Sequence, residues 1–199
     1  MNIDLTNPNT KAFVNYIHKW TSDRSKTISL RKRNYLLLNG TDRCVGWCDG
    51  DEMAVAVKHP RALSVLVHEF CHMLQASEKH PAWTNLNTID VWLEKSDWPL
   101  SKSWESAYNS LLVEHDCERR SVKMIKQWKL PIDVDEYIQA ANLYLLLYQY
   151  VYLRKKWVRS DKLYKPRLIA LMPKKLMSAT SLKTINMDLM LEFDKEFSV

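Results

Sequence analysis

Between Arg61 and Ser77 the apolar residues Leu63, Leu66, Val67, Phe70, Met73 and Leu74 recur every three or four positions, the spacing of one helix face. Ser64, His68, His72 and Gln75 fall on the other side. Pro60 suits the first helical position, where its missing N–H costs nothing. The same period predicts a helix from Thr10 to about Trp20, capped by Asn9, and another from Lys102 to Lys129, after a break at Trp98-Pro99 and ended by Pro131. Asp133 and Glu136 have the spacing of a capping box for a helix from Glu136 to about Trp157, on which Tyr144, Tyr148 and Tyr152 form a stripe. Ser181 to Phe193 is amphipathic enough to pack back as a last helix.

The pattern changes between residues 33 and 58, where Glu52–Lys58 alternates large and small residues at period two. All three glycines of the chain lie there, and Asn39-Gly40 and Asp49-Gly50 are turn signals. Arg33–Asn39, Cys44–Cys48 and Glu52–Lys58 predict a small antiparallel sheet of about three strands. The fold class is therefore α+β, mainly helical, with the sheet preceding the helix of residues 61–77. A chain of 199 residues, 46% of them apolar, can build one substantial core. Residues 1–158 are expected to form that domain, and 159–199 a basic extension packed on it.

The N-terminus lacks the basic start and apolar run of a signal peptide, and the longest apolar stretch, Leu143 to Leu153, is too short for a bilayer. A cytoplasmic protein without membrane contact is expected, with four reduced cysteines. Cys71 and Cys117 read as small buried residues; Cys44 and Cys48 lack the second pair that a zinc ribbon needs. The net charge of +6 is carried by residues 151–199, which hold 11 basic and 5 acidic side chains. From Arg154 to Lys175 there are nine bases and one acid, Asp161, interleaved with Trp157 and Tyr164. This segment reads either as a contact for nucleic acid phosphates or an acidic partner, or as solvated charge after a helix end.

The chemistry concentrates in His68-Glu69-Phe70-Cys71-His72. Histidines four apart stand one helical turn from each other, so both imidazoles can reach one zinc ion. Glu69 sits beside the first of them, where it can take a proton from the water that the metal activates. A catalytic zinc needs a third protein ligand. The group Glu114, His115, Asp116 and Glu118 supplies the candidates, with Glu114 the first choice and Glu118, one turn on, the partner that orients a ligand. The alternative for these acids is pairing with Arg119, Arg120 and Lys123 on a solvated face.

His68-Glu69-x-x-His72 followed by Glu114-x-x-x-Glu118 resembles the gluzincin metallopeptidases. In them the third ligand is the glutamate of a Glu-x-x-x-Asp pattern, whose Asp supports a ligand histidine. Over residues 10–125 the chain looks like the minimal cores of ImmA/IrrE-like and SprT-like proteins and of small phage- and prophage-encoded metallopeptidases. Glu118 stands where that pattern has Asp, and Cys71 where many relatives carry Gly. The resemblance implies a zincin-like fold and a zinc peptidase acting on a protein or peptide, with Glu69 as general base. His80, Tyr108 and the tyrosines of the 136–157 helix are candidate donors to the carbonyl oxygen, and Glu52 to Lys58 is the expected edge for an extended substrate. The second function class is a zincin-like binding protein with a structural metal that engages nucleic acid through Arg154 to Lys175.

Overall fold

Asn7-Pro8 opens the first helix, α1 (Pro8–Ser22), with the Asn7 side chain accepting from Thr10 N at 3.0 Å. The cap is thus Asn7 rather than Asn9, because Pro8 fits the first turn, where its lack of an N–H is harmless. The computed structural model describes residues 3–38, 40, 42–84, 100–155, 157–158 and 163–197. The expected break at Trp98-Pro99 lies outside them. The chain gathers into two units, Met1–His80 with Cys117–Val134, and Pro81–Asp116 with Asp135–Val199. Each unit draws on separate stretches of sequence.

In the first unit α1 is followed by β1 (Thr27–Arg31), β2 (Leu36–Leu38), β3 (Asp42–Cys44), β4 (Gly46–Cys48) and β5 (Glu52–Ala56). The fold class is α+β, with a three-stranded sheet ahead of the histidine helix. The sheet order is β1-β5-β4 and it is mixed: β1 runs parallel to β5, from Thr27 opposite Glu52 to Arg31 opposite Ala56. β4 is antiparallel to β5, with Gly46 opposite Val55 and Cys48 opposite Met53. β2 and β3 form a separate antiparallel ribbon. Thr27–Arg31 alternates strictly, with Ile28 and Leu30 between Thr27, Ser29 and Arg31, a five-residue period-two signal that lies ahead of the 33–58 stretch expected to form the sheet. With β1 and β4 on its two sides, β5 is the central strand, so Glu52 to Lys58 does not supply the edge expected for a substrate.

The histidine helix α2 (Ala62–Ser77) starts two residues after Pro60; the His59 ring Nδ1 accepts from Arg61 N at 3.1 Å, closing a turn before it. It packs on β4 and β5 and buries Leu63, Leu66, Val67, Phe70 and Met73. Phe70 is met edge-on by Phe13, Tyr16 and Trp20 of α1. Such aromatic contacts each add about 0.5–1.5 kcal/mol to the burial itself. Of the flank expected to be polar, His72 is 7% exposed and Gln75 0%, with Ser64 and His68 half-buried, and Glu69 beside them is 8% exposed. Buried polar groups need partners, and these have them.

The second unit contains α3 (Pro81–Thr84), most of α4 (Leu100–Gln127) and α5 (Val134–Arg154), then α6 (Pro166–Ala170), a 3-10 turn (Ser181–Lys183) and α7 (Met187–Phe197). Its core joins Leu111 of α4 and Leu143, Leu146, Leu147 and Val151 of α5 to Leu168, Leu182, Met190 and Phe193. The last helix begins later than the expected Ser181, because Asn186 accepts from Leu189 N at 3.2 Å and caps it there. Among the described residues no helix is long and apolar enough to cross a membrane.

Candidate metal centre

His68 and His72 stand one turn apart on α2, and their Nε2 atoms face each other at 3.1 Å. The rings meet nearly at right angles, 87° between planes. Each Nδ1 is held from behind: His68 Nδ1 lies 3.1 Å from Glu118 Oε1, and His72 Nδ1 lies 2.9 Å from Gln75 Oε1. A carboxylate and an amide oxygen can only accept, so both Nδ1 atoms carry the proton. In the neutral imidazoles both Nε2 lone pairs then point toward the space between the rings. Two nitrogens bound to one zinc at about 2.0–2.1 Å in tetrahedral geometry lie about 3.3 Å apart. The pair fits one such ion with almost no rearrangement.

Cys117 of α4 brings a sulfur to the same place. His68, His72 and Cys117 offer ligand atoms all within 4.8 Å of one another. The thiol donates to His68 O at 3.2 Å and lies 3.6 Å from His68 Nδ1, the nitrogen that Glu118 already holds. Cys117 is the small buried residue expected from sequence, and its approach to His68, 49 positions away, is what the sequence does not announce. Gln75 was visible on the histidine side of the helix, three residues after His72, and that spacing was the signal for its role.

Glu69, between the histidines, is fixed from the sheet side. A Cβ built on Gly46 of β4 would lie 2.9 Å from Glu69 Cγ, 3.1 Å from its Oε1 and 2.5 Å from Val65 Cγ1. Only glycine lets the strand come this close to the helix. The neighbouring thiols feel the same carboxylate: burial and then the Glu69 charge push Cys48 up to about 12 and Cys44 up to about 11.

Of the other residues singled out by sequence, His80 closes the first stretch of the first unit, and Tyr108, Glu114, His115, Asp116 and Tyr148 fall in the second. Tyr148 donates to Glu114 Oε1 at 3.0 Å, and His115 Nε2 donates to Met177 O at 2.8 Å. Asp116 is buried, at 8% exposed. Tyr108 donates to Ala179 O at 2.9 Å, so its hydroxyl and that of Tyr148 are engaged within the unit. His80 ends the turn after α2, its N–H bonded to Gln75 O. In the basic segment Arg154 pairs with Asp194, Arg167 with Glu192 and Glu196, and Lys174 with Asp135. Lys155 lies 4.7 Å from the Tyr152 ring centroid. Lys156, Arg159, Asp161 and Lys162 lie outside the described residues. No protein-family model, no curated protein and no solved structure matches the chain.

Proposed function

We propose that the chain is a zinc-dependent peptide-bond hydrolase, with His68 and His72 binding the metal through Nε2 and Glu114 as the third ligand. The observation that carries this reading is the pair of Nε2 atoms 3.1 Å apart, each imidazole oriented by an acceptor at its Nδ1. Ligand histidines are held in this manner, because the hydrogen bond fixes both tautomer and ring angle. Glu114 enters on its motif spacing, His68-Glu69-x-x-His72 followed by Glu114-x-x-x-Glu118. Bound zinc would supply a Lewis acid that lowers the pKa of a water toward neutrality and polarises the scissile carbonyl.

The protein's own part is proton transfer and alignment. Glu69 accepts the proton of the attacking water on its carboxylate and returns it to the leaving amine nitrogen. The substrate backbone pairs with β4, an edge strand of the sheet beside Glu69, in place of the β5 edge expected from sequence. The substrate class is an extended peptide or an unfolded stretch of protein.

Purified full-length protein is expected to take up about one zinc per chain, and His72→Ala to abolish uptake. Glu69→Gln should keep the zinc while hydrolysis of a peptide library, followed by mass spectrometry, falls about 10²–10⁴-fold. Protein that stays metal-free and refuses added zinc would sink the reading. Equal cleavage by Glu69→Gln would remove Glu69 from its role.

A further inference from the structure

We infer that the first unit carries a docking surface for single-stranded nucleic acid, formed by Tyr35 and the bases around it. Residues 31–48 and 53–58 hold Arg31, Lys32, Arg33, Arg43 and Lys58 against one acid, Asp42. All five bases are exposed. Among the described residues none of the five makes an ion pair. In the C-terminal basic segment, by contrast, Arg154, Arg167 and Lys174 are each held by a carboxylate. Like charges left together on a surface repel one another, and a bound polyanion relieves that repulsion.

The backbone gathers these residues from three stretches of sequence. β1 ends at Arg31, opposite Ala56, and the chain bends at Lys32, with Arg33 N bonded to Arg31 O at 2.7 Å. Val57 N donates to Arg31 O at 2.9 Å and Lys58 N to Arg33 O at 3.0 Å, which sets Lys58 alongside the bend. Tyr35 follows, its ring centroid 5.4 Å from that of His59. In the ribbon Leu37 lies opposite Arg43, and opposite residues of an antiparallel pair project from one face. The Arg43 guanidinium stands 6.0 Å from the Tyr35 ring centroid, so Tyr35, Leu37 and Arg43 share that face. Tyr35 is 36% exposed and Leu37 56%. An exposed ring among cations suits a single strand: its phosphates meet the charges, and an unstacked base of any identity covers the ring. A duplex keeps its bases stacked on each other. An anionic membrane fits less well, because Leu37 and Leu38 point to opposite faces of the ribbon and do not pool into one apolar area. An acidic peptide would meet the charges and leave the ring unused.

The surface owes nothing to the metal, and neither reading falls with the other. Its test is the fluorescence anisotropy of labelled oligothymidylate and oligouridylate titrated with the full chain. Wild type should bind both at low salt, and log K should fall with log salt by about 0.7 per phosphate contacted. Tyr35→Ala is expected to weaken binding on the order of 5- to 150-fold, while Tyr35→Phe, which keeps the ring, stays within about twofold of wild type. Lys32→Gln with Arg33→Gln should flatten the salt slope by about 1.4. Lys165→Gln with Lys175→Gln takes the same charge from two exposed bases of the C-terminal segment and should leave the slope unchanged. Melting curves check that each variant folds; the Lys32 and Arg33 pair keeps the test open should Tyr35→Ala not fold. The proposal is overturned if neither probe responds at tens of micromolar protein, where even non-specific binders do. It is equally overturned if folded Tyr35→Ala binds as wild type does, if a duplex of the same length binds as tightly, or if the two charge pairs matter alike. Displacement of the probes by anionic phospholipid vesicles or polyglutamate, at the same concentration of charge, would hand the surface to a membrane or an acidic protein instead.

Discussion

Replacing Gly46 by alanine puts a methyl group 2.5 Å from Val65 Cγ1 and 2.9 Å from Glu69 Cγ, closer than real side chains come. Either β4 or the helix must move. Overpacking of this kind costs about 1–3 kcal/mol, so Gly46→Ala is expected to unfold at lower urea, and Val65→Ala in the same chain to recover part of the loss. A Gly46→Ala protein as stable as wild type would mean that the strand yields freely. Gln75→Ala and Glu118→Ala remove the acceptors behind the two imidazoles; each should weaken zinc binding about 10–100-fold in competition with a chromophoric chelator. The Cys44 and Cys48 thiols, raised to about 11 and about 12, hold little thiolate at neutral pH. Their alkylation should keep accelerating with pH beyond 9, where an ordinary thiol of pKa about 8.5 has levelled off. A plateau near pH 9, read by mass spectrometry, would contradict the raised values. At this scale the facing of His68 and His72 follows from sequence, because a helix places its residues by arithmetic. The contacts of Cys117 and Gly46 do not, because each acts on a neighbour distant in sequence.

Helix α5 shows what a polar row inside an apolar core does. Gln139, Asn142 and Gln149 reach out to the chain that follows: Asn142 Nδ2 donates to Pro173 O and Lys175 O, its Oδ1 accepts from Met177 N, and Gln149 Nε2 donates to Leu182 O. These residues fasten an irregular, largely exposed segment to the buried face of α5. Asn142→Ala leaves three backbone groups to find new ones. It should cost at least about 2 kcal/mol in urea unfolding and raise hydrogen exchange at residue 177. An unchanged midpoint would show that water replaces the amide. Helices α2, α4 and α5 were legible from apolar spacing together with the proline breaks and the Asp133–Glu136 capping pair, since each is long. The third strand of the sheet was misplaced, because β1 pairs with β5 across a stretch that holds the β2–β3 ribbon and β4, and no local pattern announces a parallel partner. The final helix was found but shifted, its start set by one capping side chain, Asn186.

For the whole molecule, metal and folding are linked. A ligand that binds only the folded chain stabilises it by about 2.7 kcal/mol when present at about a hundred times its Kd. Zinc should therefore raise the melting temperature and a chelator reverse the rise, while His72→Ala should respond to neither. A wild-type melting curve indifferent to zinc would count against a site of any affinity. The fold class was open to sequence because composition and period constrain it directly. The division into units was not, since it depends on which distant stretches come together.

That division has a bearing on any attempt to take the protein apart. The chain leaves the first unit after His80, returns at Cys117 and departs again after Val134, so neither unit is one continuous stretch of gene. A fragment ending at residue 80 would keep both histidines and lose Glu118, which steadies one of them, as well as Trp128, which lies against Phe13. The shortest uninterrupted piece that retains the first unit runs from residue 1 to 134 and carries 81–116 as a passenger. Trimming from the C-terminus can test the second unit, but no single cut isolates the first.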